Sequence, residues 1–155
     1  MSSLLGLTNN ILRLTSPIRT SREALDFIDS LFYHKKLFNN PKYKVIYSSE
    51  CYLASKINDY VKKGYTYISY EDNEKISDYS YKLYTKRAYP YEFQKIVMCI
   101  DDKFYLDEKK HLKSIQNDDG IYYTRLLYQG LTRAREEIVV IITNKKILAE
   151  LIDIL

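Results

Sequence analysis

The stretch from Leu127 to Ile142 reads LYQGLTRAREEIVVII, and its two halves ask for different structures. Ile138 to Thr143 (IVVIIT) is β-branched at every position and is the strongest strand signal in the chain. A strand with no polar alternation has no face to show water, so it must be covered on both sides. Immediately before it, Ile121 to Arg135 carries Leu126, Leu127, Gly130 and Leu131 along one side at helical spacing. A helix feeding a strand buried on both faces is the signature of an α/β fold. On such a helix Arg133 and Arg135 point about 200° apart, so only one of them faces a given site.

The same alternation recurs upstream. Ser21 to Phe38 reads as a helix capped by Ser21, with Leu25, Ile28, Leu31 and Phe32 on its apolar side. Pro41 closes the connection, and Tyr43 to Tyr47 (YKVIY) is a strand. Ser48-Ser49 offers a cap for a helix from Glu50 to Lys63, whose stripe is Leu53, Ile57, Tyr60 and Val61 and whose stop is Gly64. Thr66 to Tyr70 (TYISY) and Lys95 to Ile100 (KIVMCI) are further strands, the latter apolar enough for burial on both faces. Glu71 to Tyr84 is polar and tyrosine-rich and takes no assignment. Asp101 to Gly120 reads as a charged loop, and Lys145 to Leu155 as a closing amphipathic helix. The predicted fold is α/β: a single domain over residues 1–155, built as a three-layer parallel sheet with helices on both faces. Functional groups in such folds gather at the carboxyl ends of strands and at nearby helix termini. That directs attention to Glu92, to Asp101-Asp102 and to the helix before the last strand.

Composition narrows the function. The chain has 155 residues, 46% of them hydrophobic and 28% charged, which is globular rather than disordered composition. Its net charge of +4 is compatible with a nucleic-acid contact without requiring one. Gly and Pro number only four and three, and none of the glycines opens a GxxxxGK[ST] loop, so a self-contained P-loop NTPase is excluded on motif grounds. No apolar run reaches the ~20 residues of a membrane span. The start, MSSLLGLTNNILRLT, lacks the basic and then apolar pattern of a signal peptide. With Cys51 and Cys99 as its only cysteines, the expectation is a cytoplasmic protein with reduced thiols and no membrane partner. His34 and His111 have no partner at ligand spacing, so no metal site is expected.

Tyr128-Gln129-Gly130-Leu131-Thr132-Arg133-Ala134 resembles the Y-x-G-[IL]-T-R-A core of motif VI in superfamily 1 DNA/RNA helicases, within a motif VI-like segment spanning 127–135. Two other segments follow the family's order. Residues 89–97, from Tyr89-Pro90-Tyr91-Glu92-Phe93 onward, are similar to motif V, with Glu92 and Phe93 matching. Pro90 stands where the family has Gly and Tyr89 where it has Lys or Gln; Tyr84 and Lys86 occupy the places of its Thr and His. Residues 14–21, Leu14-Thr15-Ser16-Pro17-Ile18-Arg19-Thr20-Ser21, are similar to motif IV. From Phe93 to Leu148 the chain also looks like a helicase-related family found with phage and bacterial defence genes. It shares an aromatic D-x-x-F-Y-x-D-E segment (Asp101 to Glu108) and the Tyr123 to Gln129 helix.

The resemblance implies the C-terminal RecA-like lobe of an ATP-dependent helicase, a P-loop NTPase fold lacking its own P-loop. Arg133 would be the arginine finger and Arg19 a second nucleotide-facing arginine. Glu92, Thr132 and Gln129 would line the nucleotide, and Tyr89, Lys86 and Arg87 would meet single-stranded nucleic acid, DNA before RNA. ATP and Mg²⁺ would be held only when an N-terminal lobe, in cis or in trans, completes the site, so the chain alone is not expected to be active. A finger of this kind accelerates phosphoryl transfer by a factor on the order of 10³–10⁵.

Blander readings stand beside these. An arginine on a helix is ordinarily a solvated surface charge. Asp101-Asp102 with Asp107-Glu108 reads as a solvated loop rather than a magnesium site. Tyr79, Tyr81, Tyr84, Tyr89 and Tyr91, near Lys82, Lys86 and Arg87, suit base stacking, yet aromatic rings serve packing more often. Two rival functions remain: a stand-alone, non-catalytic helicase-like remnant that binds nucleic acid or a partner protein as a phage or defence regulator, and an unrelated α/β enzyme in which the motif VI match is chance.

Overall fold

The two most apolar runs become neighbours at the centre of one sheet. A computed structural model describes residues 20–36, 40–70, 82–84 and 92–152, the short 82–84 stretch by its backbone alone. In chain order the elements are α1 (Arg22–Tyr33), β1 (Tyr43–Tyr47), α2 (Leu53–Lys62), β2 (Thr66–Ser69), β3 (Lys82–Tyr84), β4 (Phe93–Ile100), β5 (Phe104–Leu106), β6 (Leu112–Ser114), α3 (Tyr123–Leu131), β7 (Ala134–Ile142) and α4 (Lys145–Leu151). Strands β1, β7, β4, β2 and β3 lie side by side in that order, each pair parallel. β5 and β6 form a separate antiparallel hairpin.

Strand periodicity splits the core in two. On one face Ile96, Met98 and Ile100 of β4 and Ile138, Val140 and Ile142 of β7 pack under α1, α3, α4 and the hairpin. On the other face Val97, Cys99, Val139 and Ile141 pack with Ile57 of α2 and with Tyr65 and Tyr67. Helices therefore cover both faces, which makes the expected three layers. All of these side chains are buried, which is why the two central strands show no polar alternation in sequence.

Each helix begins and ends for local reasons. The Ser21 hydroxyl accepts the Ala24 N–H at 3.0 Å, and α1 stops where His34 turns left-handed (φ 56°). That cap contributes about 1 kcal/mol, whereas burying Phe27, Ile28 and Leu31 contributes about 1.5–3 kcal/mol apiece. Packing thus decides that α1 exists, and the cap decides where it starts. α2 is entered through a single 3₁₀ turn, Glu50–Tyr52, and Ser49 makes no side-chain cap bond. It ends before Gly64, whose φ of 97° is open to glycine at little cost. α4 is capped by Asn144, whose side-chain Oδ1 accepts from the Lys146 and Ile147 N–H groups.

Two expectations need correction, and one stretch left open gains a strand. The helix read over Ile121 to Arg135 is shorter: α3 ends at Leu131, Thr132 and Arg133 form a turn, and Arg135 already belongs to β7. Strand pairing wins at this point because Ala134 comes into register with Phe93. The 200° helical separation of the two arginines therefore does not apply. The charged stretch 101–120 is not all loop, since Phe104, Leu112 and Ser114 point into the core and carry the hairpin. The unassigned tyrosine-rich stretch ends in a strand, β3, which pairs with β2. Among the described residues, no helix is long and apolar enough to cross a membrane.

Candidate functional site

In a parallel sheet all the amino ends lie together. Glu92 immediately precedes β4 and Arg133 immediately precedes β7, so both sit at this end of adjacent central strands. The Phe93 N–H donates to the Arg133 carbonyl at 2.9 Å, which joins the two segments. Asp101 and Asp102 follow β4 and lie at the opposite end. The carboxyl-end rule therefore fits the aspartates but not Glu92 and Arg133.

The turn that carries Arg133 is held from three directions. From its own helix, the Thr132 and Arg133 N–H groups donate to Tyr128 and Gly130 carbonyls, both at 3.1 Å. The Thr132 hydroxyl donates back to the Gln129 carbonyl at 3.0 Å. From β4 comes the Phe93 bond. From the start of α1, the Thr20 hydroxyl donates to the Thr132 carbonyl at 2.7 Å across 112 residues of sequence. The α1 start is itself tied to the sheet, because Ser21 and Tyr43 share a 3.2 Å hydrogen bond and Phe27 stacks on Tyr43 at 5.5 Å.

The residues at this end are partly open. Gln129, Thr132, Arg133 and Glu92 are half-buried. Arg135 is 63% exposed in its side chain and forms a loose pair with Glu92, Nε to Oε1 at 3.8 Å. A guanidinium stays charged at any accessible pH and offers a planar fork that matches a phosphate. Fixing the backbone beneath Arg133 reduces the entropy lost when its fork meets an anion. The structure thus brings Thr20, Glu92, Gln129, Thr132 and Arg133 to one end of the sheet. Arg19, Lys86, Arg87 and Tyr89 lie outside the described residues, as do most of the motif IV-like segment and the first part of the motif V-like one.

A second polar group was not singled out from sequence. On the α2 side of the amino end, the Tyr65 hydroxyl donates to Glu137 Oε1 at 2.6 Å and Lys95 Nζ lies 3.5 Å from Oε2. The Tyr65 hydroxyl bond holds the Glu137 carboxyl below its ordinary range, with Lys95 and Lys44 adding to the effect against its partial burial. Burial pushes the Tyr65 phenol up, and the Glu137 carboxylate pushes it further. The available signal was Glu137 itself, an acid immediately before the apolar core of β7, where a partner is needed.

At the carboxyl end, polar groups hold loops. Asp101 accepts from the Lys103 N–H at 2.9 Å and from its ammonium at 3.0 Å. Asn144 donates weakly to the Asp101 and Phe104 carbonyls at 3.5 and 3.3 Å. Tyr70 donates to the Cys99 carbonyl. Asp107 is held below its ordinary range, first by the His111 N–H and then by Lys109. Between the hairpin and α4 lies an open groove of about 450 Å³ lined by Leu106 and Ile147, with the Lys110–Glu150 ion pair (2.8 Å) on its wall. Among the described residues, no three His, Cys, Asp or Glu side chains gather as a metal site requires. Of the tyrosines, Tyr65, Tyr67, Tyr70 and Tyr123 are buried and serve packing, and Tyr70 and Tyr123 meet edge-on at 5.7 Å. Neither Cys51, which is exposed, nor Cys99, which is buried, forms a disulfide. Compared with known proteins, the chain matches no family model and no curated protein.

Proposed function

We propose that the chain is a RecA-like second lobe of a superfamily 1 DNA/RNA helicase, which supplies an arginine finger, Arg133, to an ATP site completed by an N-terminal lobe. The observation that carries this reading is the Thr20–Thr132 hydrogen bond at 2.7 Å, taken with the Phe93–Arg133 bond at 2.9 Å. Together they bring the ends of three motif-like segments, far apart in sequence, to one side of the sheet. The Phe93 contact follows from the pairing of β4 with β7, so the Thr20 bond, across 112 residues, is the more specific of the two. The parallel three-layer architecture also supports the assignment, without distinguishing it from other α/β folds.

In this reading the other lobe holds ATP and Mg²⁺. Arg133 stabilises the charge that develops on the transferred phosphoryl group, and Arg19 adds a second positive charge. Thr132 and Gln129 hold the turn, and Glu92 orders the start of β4 beside it. Single-stranded nucleic acid is the second substrate. The test is an ATPase assay with single-stranded DNA, first on the chain alone and then with a P-loop lobe supplied in trans or by fusion. The chain alone is expected to be inactive, and the completed enzyme to turn over in an Arg133-dependent manner. Robust Arg133-dependent turnover by the chain alone would sink the requirement for a second lobe.

A further inference from the structure

A row of cations and aromatic rings crosses the α2 side of the sheet at its amino end. Lys44 of β1 lies two residues before Ile46, which packs in the α2-side core, so Lys44 shares that face. Next comes Glu137 of β7, then Lys95 of β4, with its Nζ 5.5 Å from the Tyr65 ring centroid. Tyr65 meets Tyr60 of α2 edge-on at 5.2 Å, and Lys63 places its Nζ 5.2 Å from the Tyr60 ring. The row therefore extends from β1 across the sheet to the end of α2, with direct contacts from Glu137 through to Lys63.

Its one acid is engaged from the inside, since the two Glu137 oxygens take the Tyr65 hydroxyl and the Lys95 ammonium. Lys44 and Lys63 are exposed, and the Lys95 side chain remains 31% exposed. Lys44 and Lys95 stand two strand spacings apart, about 10 Å. The rings do more than fill space: each holds a lysine by a cation–π contact, which reduces the entropy lost when the ammonium meets an anion.

We propose that Lys44, Lys95 and Lys63 form a phosphate-tracking strip for a single strand of nucleic acid. The proposal rests on the helicase reading for its ligand class and adds the surface that the ligand follows. Spaced lysines, two of them seated on aromatic rings, suit a polyanion with regularly spaced charges such as a phosphate backbone. The row passes from a sheet onto the end of a helix, a path that a flexible single strand follows and a stiff duplex does not.

The test is fluorescence anisotropy of a labelled oligothymidylate with the full chain, over a series of salt concentrations. A single strand loses about 0.7 in the slope of log affinity against log salt for each phosphate contact withdrawn. The triple variant Lys44→Gln, Lys63→Gln, Lys95→Gln is expected to flatten that slope by about 2. Because removing Lys95 also disturbs Glu137, the double variant Lys44→Gln, Lys63→Gln serves as a second measure, with an expected flattening of about 1.4. A charge-matched triple on the other face, Lys35→Gln, Lys109→Gln, Lys113→Gln, is expected to leave the slope as it was. Equal losses from both triples, equally tight duplex binding, tighter binding of polyglutamate, or no oligonucleotide binding by the unaltered chain would each overturn the strip. ATP turnover is not read here, so a failure of Arg133 as a finger leaves this result standing, and the reverse holds too.

Discussion

The two ends of the parallel sheet carry similar polar residues and use them differently. At the carboxyl end Asp101 is closed onto its own loop by Lys103, two residues away, and Asn144 is spent on capping α4 and approaching the loop carbonyls. The Asp101 bonds are local to one turn, the Asn144 contacts reach 43 and 40 residues back to loop carbonyls, and together they fasten the hairpin and α4 to the strands. At the amino end the bonds that matter are long-range, from Thr20 to Thr132 and from Phe93 to Arg133, and they hold backbone rather than charged side chains. The difference teaches how to rank candidate sites. An aspartate that caps its own turn is already accounted for, whereas a clamped backbone beneath a half-exposed arginine is a geometry with a use beyond folding.

The largest effect that could break this contrast is on catalysis. In an enzyme completed by a P-loop lobe, Arg133→Ala is expected to lower ATP turnover by a factor on the order of 10³–10⁵. Asp101→Asn is expected to leave turnover near that of the unaltered enzyme. Equal losses from the two substitutions, measured by steady-state ATPase, would erase the distinction between the ends.

Next in size is the fastening of the carboxyl end. Asn144→Ala removes the α4 cap and the contacts to the Asp101 and Phe104 carbonyls, with an expected cost of about 1–2 kcal/mol by urea denaturation. Thr20→Val removes one bond and leaves the Thr132 carbonyl short of a donor, at an expected cost of about 1 kcal/mol. The sharper readout for Thr20 is turnover of the completed enzyme. It should fall with Thr20→Val and recover with Thr20→Ser, whereas Asn144→Ala should cost stability without a matching loss of turnover.

The smallest effect concerns the Tyr65–Glu137 pair. The Glu137 pKa is depressed, so its contribution is present above the ordinary carboxylate range and is lost as pH falls through the lowered value. The Tyr65 pKa is raised, so its contribution is present below the ordinary phenol range and is lost only as pH climbs through the raised value. The pair should therefore stabilise most across the window between those ranges. Glu137→Gln is expected to lose less than about 1 kcal/mol at neutral pH. The gap between variant and unaltered chain should close as pH falls through the lowered Glu137 range in parallel denaturation curves. A gap that widened in acid would contradict the assignment of Glu137 as the ionised partner.

Much of the fold was legible because its central elements are extreme. IVVIIT and KIVMCI cannot tolerate a wet face, so their burial on both sides follows from composition alone. The face of α1 was legible for the same reason: Ile28 and Leu31 sit at helical spacing and are both buried. The hairpin was not legible, because strands of only three residues between charged neighbours carry too little periodicity to stand out. The end of α3 was misread because Thr132, Arg133 and Ala134 tolerate a helix well enough; the pairing of Ala134 with Phe93 decides otherwise. At the candidate site Gln129, Thr132, Arg133 and Glu92 were legible as letters. The Tyr65–Glu137–Lys95 group was not, since its members come from three separate parts of the chain.

The sequence by itself determined that this is an α/β chain with strands buried on both faces and no P-loop of its own, because apolar runs and motif spacing are local properties. Only the tertiary structure decided which end of the sheet each polar residue occupies, and that Thr20 reaches the turn before β7. Those facts depend on strand order, β1-β7-β4-β2-β3, and on the parallel register of β4 with β7. Both are set by the packing of distant side chains against one another, which no single stretch of residues contains.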